Sequence, residues 1–164
     1  MKTASLILGM SLLAAALHAQ KPLPSIDLKS LDGQAVNLQA YAGNGNITVL
    51  TFWATWCAPC KKELDAYAHL YDDWQANYNL EVLAITIDNQ RALPRVAPLV
   101  ASREWPFEVL SDAEQRLQRA LGFQTIPQTY VVDQNGRIAY EHSGFVPGDE
   151  YELEEKLKEL AARE

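Results

Sequence analysis

The chain has 164 residues, with 14 lysines and arginines against 21 aspartates and glutamates, for a formal net charge of −7. That acidic balance disfavours nucleic acid and anionic lipid surfaces as partners, because both repel a negative protein. The length suits one domain with a real core, and two cysteines are too few for a framework of stapling disulfides.

Residues 1–19, "MKTASLILGMSLLAAALHA", have the anatomy of a signal peptide: Lys2, an apolar stretch from Leu6 to Leu17, and small Ala19 at the cleavage edge. The stretch is shorter than the roughly 20 residues that span a bilayer, so no membrane span is expected once the signal is removed. No cysteine follows it to carry a lipid. Cleavage would leave residues 20–164 as one domain of 145 residues, with 13 basic against 21 acidic groups and a balance of −8. Met1 and Met10 would leave with the signal, which removes methionine-rich copper binding from consideration. Export, to a periplasm or beyond, would place the chain where disulfides persist.

Pro22 and Pro24 make residues 21–25 an extended lead-in. "IDLKSLDGQAVNL" reads as two short alternating strands around Asp32-Gly33. After a polar turn at residues 43–46, "ITVLTFWA" is a continuous apolar run, which suits a strand buried on both faces. From Ala58 to about Asn77 the period turns helical, with Leu64, Tyr67, Ala68, Tyr71 and Trp74 on one face, and the aromatic members read as core packing. "LEVLAITID" is a second buried strand. A helix is expected over residues 93–103, kinked or delayed by Pro98. "FEVL" reads as an edge strand or a loop. "DAEQRLQRALG" reads as a helix that starts at an Asp112 cap and stops at Gly122. "QTYVVDQNGRIAYEH" is a hairpin around Asn135-Gly136. Asp149 with Glu152 resembles a capping box, opening a last helix with a stripe of Leu153, Leu157, Leu160 and Ala161. Strands alternating with helices predict an α/β domain, a sheet covered on both faces.

Both cysteines stand where a buried strand gives way to a helix, in "WATWCAPC". A bridge between Cys57 and Cys60 closes so short a loop that its value as a staple is small. Zinc would need two further ligands, and beyond the signal the chain offers only His69 and His142. A two-coordinate Cu(I) site remains open, since thiolates suit that ion. At a helix start, Cys57 meets unpaired N–H groups and the positive end of the helix dipole. Both pull its pKa below the free value of about 8.5. Pro59 fits a first turn, where a missing N–H costs nothing. Cys60, one turn in, is expected to be more buried and less acidic. An attacking thiolate beside a resolving thiol is what thiol–disulfide exchange requires.

The stretch "VLTFWATWCAPCKKEL", followed by "GFQTIPQTYVVDQNGRI" at residues 122–138, resembles the thioredoxin superfamily, and within it the TlpA/ResA-like thiol–disulfide oxidoreductases. The likeness extends over residues 25–162, including the N-terminal hairpin and the segment ending "WPFEVLSD". It implies a thioredoxin-like fold: a central mixed β-sheet flanked by helices, with an N-terminal β-hairpin and an αβ insert. It makes Cys57 a surface nucleophile, Cys60 the resolving thiol and Pro127 a cis-proline opposite the pair. A cis bond there presents the backbone of Ile126 to a substrate strand. Trp56 would shield the nucleophile, and Ala58 and Pro59 would complete the substrate-facing surface. Glu63 would exchange a proton with Cys60, since Thr51 stands where thioredoxin keeps a buried aspartate. At i, i+3 from Cys60 it lies on the same side of the helix, and partial burial would raise its pKa towards neutrality. A solvated surface glutamate is the plain alternative. Lys61, Lys62 and His69 read as surface groups, and His142 has no evident partner.

The resemblance implies no cofactor beyond the redox-active Cys57–Cys60 disulfide. Its partners would be a protein disulfide or dithiol substrate and a membrane thiol donor, with cytochrome c maturation or recovery of oxidised proteins as settings. Ile126 before Pro127 is what thioredoxin carries there, a resemblance that points towards reduction, while the Ala58-Pro59 dipeptide does not settle the direction of electron flow. A disulfide-forming oxidase and a non-catalytic module that binds Cu(I) or a partner remain as alternatives. A peroxidase fits least, because Ala54 occupies the position where that chemistry places a threonine.

Overall fold

The computed structural model describes residues 21–163, so the signal-peptide expectation lies outside the described residues. Seven strands form one mixed sheet: β1 (Asp27–Ser30), β2 (Ala35–Asn37), β3 (Ile47–Trp53), β4 (Leu80–Thr86), β5 (Glu108–Ser111), β6 (Gln128–Val132) and β7 (Ile138–Ser143). Their spatial order is β2-β1-β5-β4-β3-β6-β7. The run β3–β4–β5 is parallel, and the hairpins β1–β2 and β6–β7 add antiparallel pairs on either side. Every residue of β3 is buried, as a strand covered on both faces must be.

Four helices pack against the sheet: α1 (Ala58–Tyr78), α2 (Val96–Arg103), α3 (Arg116–Leu121) and α4 (Asp149–Ala161). Alternation along β3 separates the two layers. Thr51 points to α1, where its hydroxyl bonds Glu63, whereas Phe52 packs on Phe123 just beyond α3, with ring centroids 4.6 Å apart. Helix α4 lies beside α1, joined by the Tyr78 hydroxyl donating to Glu154 at 2.9 Å. Its stripe of Leu153, Leu157 and Leu160 is buried. This is the thioredoxin-like α/β fold, with helices flanking a mixed sheet.

Four local expectations need correction. "FEVL" is neither an edge nor a loop: β5 lies between β1 and β4, because the N-terminal hairpin adds outside it. The helix expected from residue 93 begins as a 3₁₀ turn, Leu93–Arg95, and Pro98 falls in the first turn of α2, where no N–H is needed. Helix α3 starts only at Arg116. Asp112 still caps it, its carboxylate accepting from the N–H groups of Arg116 and Gln118 at 2.8 and 2.9 Å. The Asp149–Glu152 capping box does not form, since Gly148 occupies the cap. Instead Asp149 turns away from the helix to accept from the N–H of Val146 at 2.7 Å, and Glu150 reaches back to the N–H of Gly148.

The segment between α2 and β5 is fastened to α1 rather than left loose. Trp105 stacks edge-on against Trp53, centroids 5.0 Å apart, and its indole N–H donates to Asp65 at 2.9 Å. Arg103 meets the other oxygen of the same carboxylate at 2.6 Å. The carboxyl end of β3 and the head of α1 are thereby tied to the same segment.

Candidate active site

Strand β3 ends at Trp53, and four residues later Cys57 caps α1 with extended backbone, φ −88° and ψ 103°. Its N–H donates to the Ala54 carbonyl at 3.0 Å, and its carbonyl accepts from Lys61 at 3.3 Å. The N–H of Cys60 points at Cys57 Sγ across 3.3 Å. A helix N-terminus has N–H groups to spare, so this sulfur stands where a negative charge is stabilised. Cys57 and Cys60 are joined as a disulfide, with Cα atoms 5.4 Å apart.

Cys60 is fully enclosed, as expected, but Cys57 is not the surface residue anticipated: it is only 5% exposed. Its sulfur is turned into the first turn of α1 and towards the Ile126 carbonyl oxygen, 4.0 Å away. The exposed ground around it comes from Trp56, Ala58 and Pro59. Trp56 is 68% exposed, so its ring stands on the surface beside the pair rather than in the core.

Across from the pair, the Ile126–Pro127 peptide bond is cis. The Pro127 carbonyl accepts from the N–H of Gly144 at 2.8 Å, tying this turn to the loop ahead of α4, whose Val146 is also exposed. Ile126 and Pro127 are thus brought to the disulfide and its neighbour Trp56 from a segment about 70 residues away in the chain.

Glu63 is no solvated surface group; it has no exposed surface. Three hydroxyls surround its carboxyl group: Thr51 of β3 donates to Oε2 at 2.6 Å, and Tyr67 of α1 and Thr129 of β6 each donate to Oε1 at 3.1 Å. Burial pushes its pKa up to about 7, against the pull of those donors. Burial likewise keeps the Tyr67 hydroxyl protonated well beyond its usual range. One helical turn behind Cys60, the chain therefore holds a carboxyl group that gains and loses a proton near neutrality.

Some members of the site went unread in the sequence. Tyr67 packs in the core against Trp74, as its helical spacing predicts, but its hydroxyl also serves Glu63, a pairing that the i+4 spacing signals. Thr129 meets Thr51 directly across β3 and β6, a register no local pattern reveals. Asp88, just beyond β4, is fully buried and binds Thr55 ahead of the pair. A lone aspartate closing the apolar run "LAITID" was the available signal. Lys61 is no free surface charge, since its ammonium donates to the Thr55 carbonyl at 3.0 Å. His142 does have partners: Asp149 lies 3.2 Å from its Nε2 and the Tyr140 hydroxyl 3.4 Å from its Nδ1. His69 is exposed on α1, away from this cluster.

Comparison with known proteins places this geometry. The model of the AhpC/TSA family matches residues 19–141. The thiol-disulfide oxidoreductase ResA of Geobacillus thermodenitrificans is 29% identical over 70% of this chain and 63% of its own length. ResA of Bacillus thuringiensis subsp. konkukian is 27% identical over 85% of this chain and 77% of its own. Among solved structures, an uncharacterized thioredoxin-like protein from Porphyromonas gingivalis superposes with a TM-score of 0.76 at 36% identity, covering 85% of this chain and 92% of the other. The chain thus spans less than two thirds of the length of the first of these relatives and about three quarters of the second.

Proposed function

The chain belongs to the AhpC/TSA family, and we propose that within it the protein is a thiol–disulfide oxidoreductase that reduces protein disulfides. The observation that carries this reading is the buried Glu63 behind a Cys57–Cys60 disulfide that caps α1.

In the reduced protein, Cys57 loses its proton at the head of α1 and its thiolate attacks one sulfur of a substrate disulfide. The Cys57–substrate bond forms as the substrate S–S bond breaks, and the departing substrate sulfur takes up a proton. Cys60 then gives its proton to the carboxylate of Glu63 and attacks Cys57 Sγ. The intramolecular disulfide closes, the second substrate sulfur leaves, and the substrate has gained two electrons. Protonated Glu63 returns its proton to the medium or to the departing thiolate. The pKa of about 7 matches that task, because a group titrating near the working pH both accepts and returns a proton readily.

The exposed Trp56, Ala58 and Pro59, with the backbone of Ile126 ahead of Pro127, would line the substrate strand. Export would place the enzyme in an oxidising compartment, where a membrane thiol donor would have to restore the dithiol. Cytochrome c maturation, which needs reduced cysteines, is one setting for such a reductant.

The test is a trap. A Cys60→Ser variant, reduced and then offered a disulfide-bonded protein, should accumulate a mixed disulfide through Cys57, because the resolving attack is gone. Cys57→Ser should form none. Equal adduct formation by both variants would overturn the assignment of attacking and resolving sulfurs.

A further inference from the structure

Thr55, two residues ahead of Cys57, is held through every polar group it has. Its N–H donates to Asp88 Oδ2 at 2.8 Å and its hydroxyl to Asp88 Oδ1 at 2.9 Å. Its carbonyl accepts from Lys61 Nζ at 3.0 Å. The Thr86 hydroxyl gives Asp88 Oδ2 a further bond at 2.8 Å. Asp88 is placed by the end of β4, where the N–H of Ile87 donates to the Trp53 carbonyl at 2.9 Å.

Neither partner is what a plain loop anchor would need. An enclosed carboxylate is costly to desolvate, and a neutral side chain could accept the same N–H for less. A lysine on a helix surface keeps more side-chain freedom in water than folded back on a carbonyl. Both groups converge on the few residues that aim the Cys57 sulfur.

We propose that Asp88 and Lys61 are positioning residues for Cys57: they clamp Thr55, fix the 54–57 loop at the head of α1, and set the acidity of the Cys57 thiol through opposed charges. The proposal rests on the reading of Cys57 as the attacking sulfur. Lys61 lies four residues along α1 from Cys57, and helical side chains lean towards the N-terminus. Its ammonium therefore lies over the first turn, where a cation favours the thiolate. The Asp88 carboxylate faces the same loop from β4 and disfavours it. The other charged groups nearby are Lys62, exposed on α1, and Glu63 behind Cys60, with His142 of β7 and Asp149 of α4 beyond it. The 126–127 segment contributes backbone and apolar surface.

The rate of iodoacetamide alkylation of the reduced full chain, followed against pH with the modified cysteine identified by mass spectrometry, reads the Cys57 thiolate directly. Lys61→Gln should raise the midpoint and Asp88→Asn should lower it, each by about half to one pH unit. Lys61→Arg should restore the wild-type value, and the double variant should fall between the two single ones. A clamp that acted only mechanically would loosen in both variants, moving the midpoint the same way or not at all, and either result overturns the proposal. Should Asp88→Asn not fold, Lys61→Gln against Lys61→Arg decides alone, equal midpoints counting against the proposal. Alkylation of Cys60 ahead of Cys57 would instead overturn the attacking role on which the inference rests.

Discussion

Glu63 carries a cost that the residue scale makes measurable. Its carboxyl group titrates at about 7 in the folded protein against 4.5 in an ordinary setting, because burial disfavours the charged form. Between those values the folded chain keeps a proton that the unfolded chain has released. Stability is therefore highest below about pH 4.5 as far as this group is concerned, falls as pH rises to about 7, and levels off above. The full loss is on the order of 3 kcal/mol. Glu63→Gln cannot ionise and keeps an oxygen for the Thr51 hydroxyl, so its stability should be nearly flat over the same range. Urea midpoints of the oxidised proteins at pH 5 and pH 8 check this; a wild-type midpoint that holds steady would mean the group is not desolvated as described. The same variant should close the Cys57–Cys60 disulfide on the order of 100-fold more slowly at pH 7, with Cys57 alkylation unaffected, because only the resolving proton transfer is lost.

The elements themselves divide into those a local pattern specifies and those that depend on distant partners. Strand β3 is legible because seven consecutive buried residues, ITVLTFW, leave no polar face. The β6–β7 hairpin is legible because Asn135-Gly136 supplies the turn, Gly136 taking φ 78° where a side chain would be strained. Strand β5 is not legible as an interior strand, since its neighbours β1 and β4 are set by pairings that four residues do not encode. The site divides the same way. The cysteine pair and Pro127 stand out in the sequence, and Glu63 follows from its spacing to Cys60. Its cage waits on the alignment of Thr51 with Thr129, and Asp88 on the contact of β4 with the loop after β3.

At the start of α4 a recognisable local signal loses to tertiary contacts. Asp149 is drawn to the Val146 N–H and to His142, so it holds the loop beside Pro127 to β7 instead of capping its own helix. Asp149→Ala should accordingly cost about 1–2 kcal/mol, combining the lost bond to the N–H with the lost charge at the helix start. Glu152→Gln should stay within about 0.5 kcal/mol of wild type, as an exposed substitution with no cap to break. Paired denaturation curves separate the two, and a larger loss at Glu152 would reinstate the capping box.

For the whole molecule, the direction of electron flow depends on which redox form the fold favours. Reduction replaces a neutral disulfide with two thiols, one of them inclined to ionise. The head of α1 supports that charge through the N–H of Cys60, joined by the Lys61 ammonium over the first turn. Opposing it are two enclosed carboxyl groups, Glu63 and Asp88, neither in an ion pair among the described residues, in a chain whose net charge is already −7. A strong oxidant owes its potential of about −120 mV to a stabilised reduced form, whereas thioredoxin lies near about −270 mV. With helix and carboxyl groups in opposition, the reduced form here gains little, and the pair should equilibrate nearer to thioredoxin. The oxidised protein should then resist denaturant better than the reduced one. Equilibration against dithiothreitol buffers gives the potential, and urea unfolding of each redox form gives the independent leg of the same cycle. A potential near about −120 mV, with the reduced protein the more stable, would make this chain a donor of disulfides rather than a reductant.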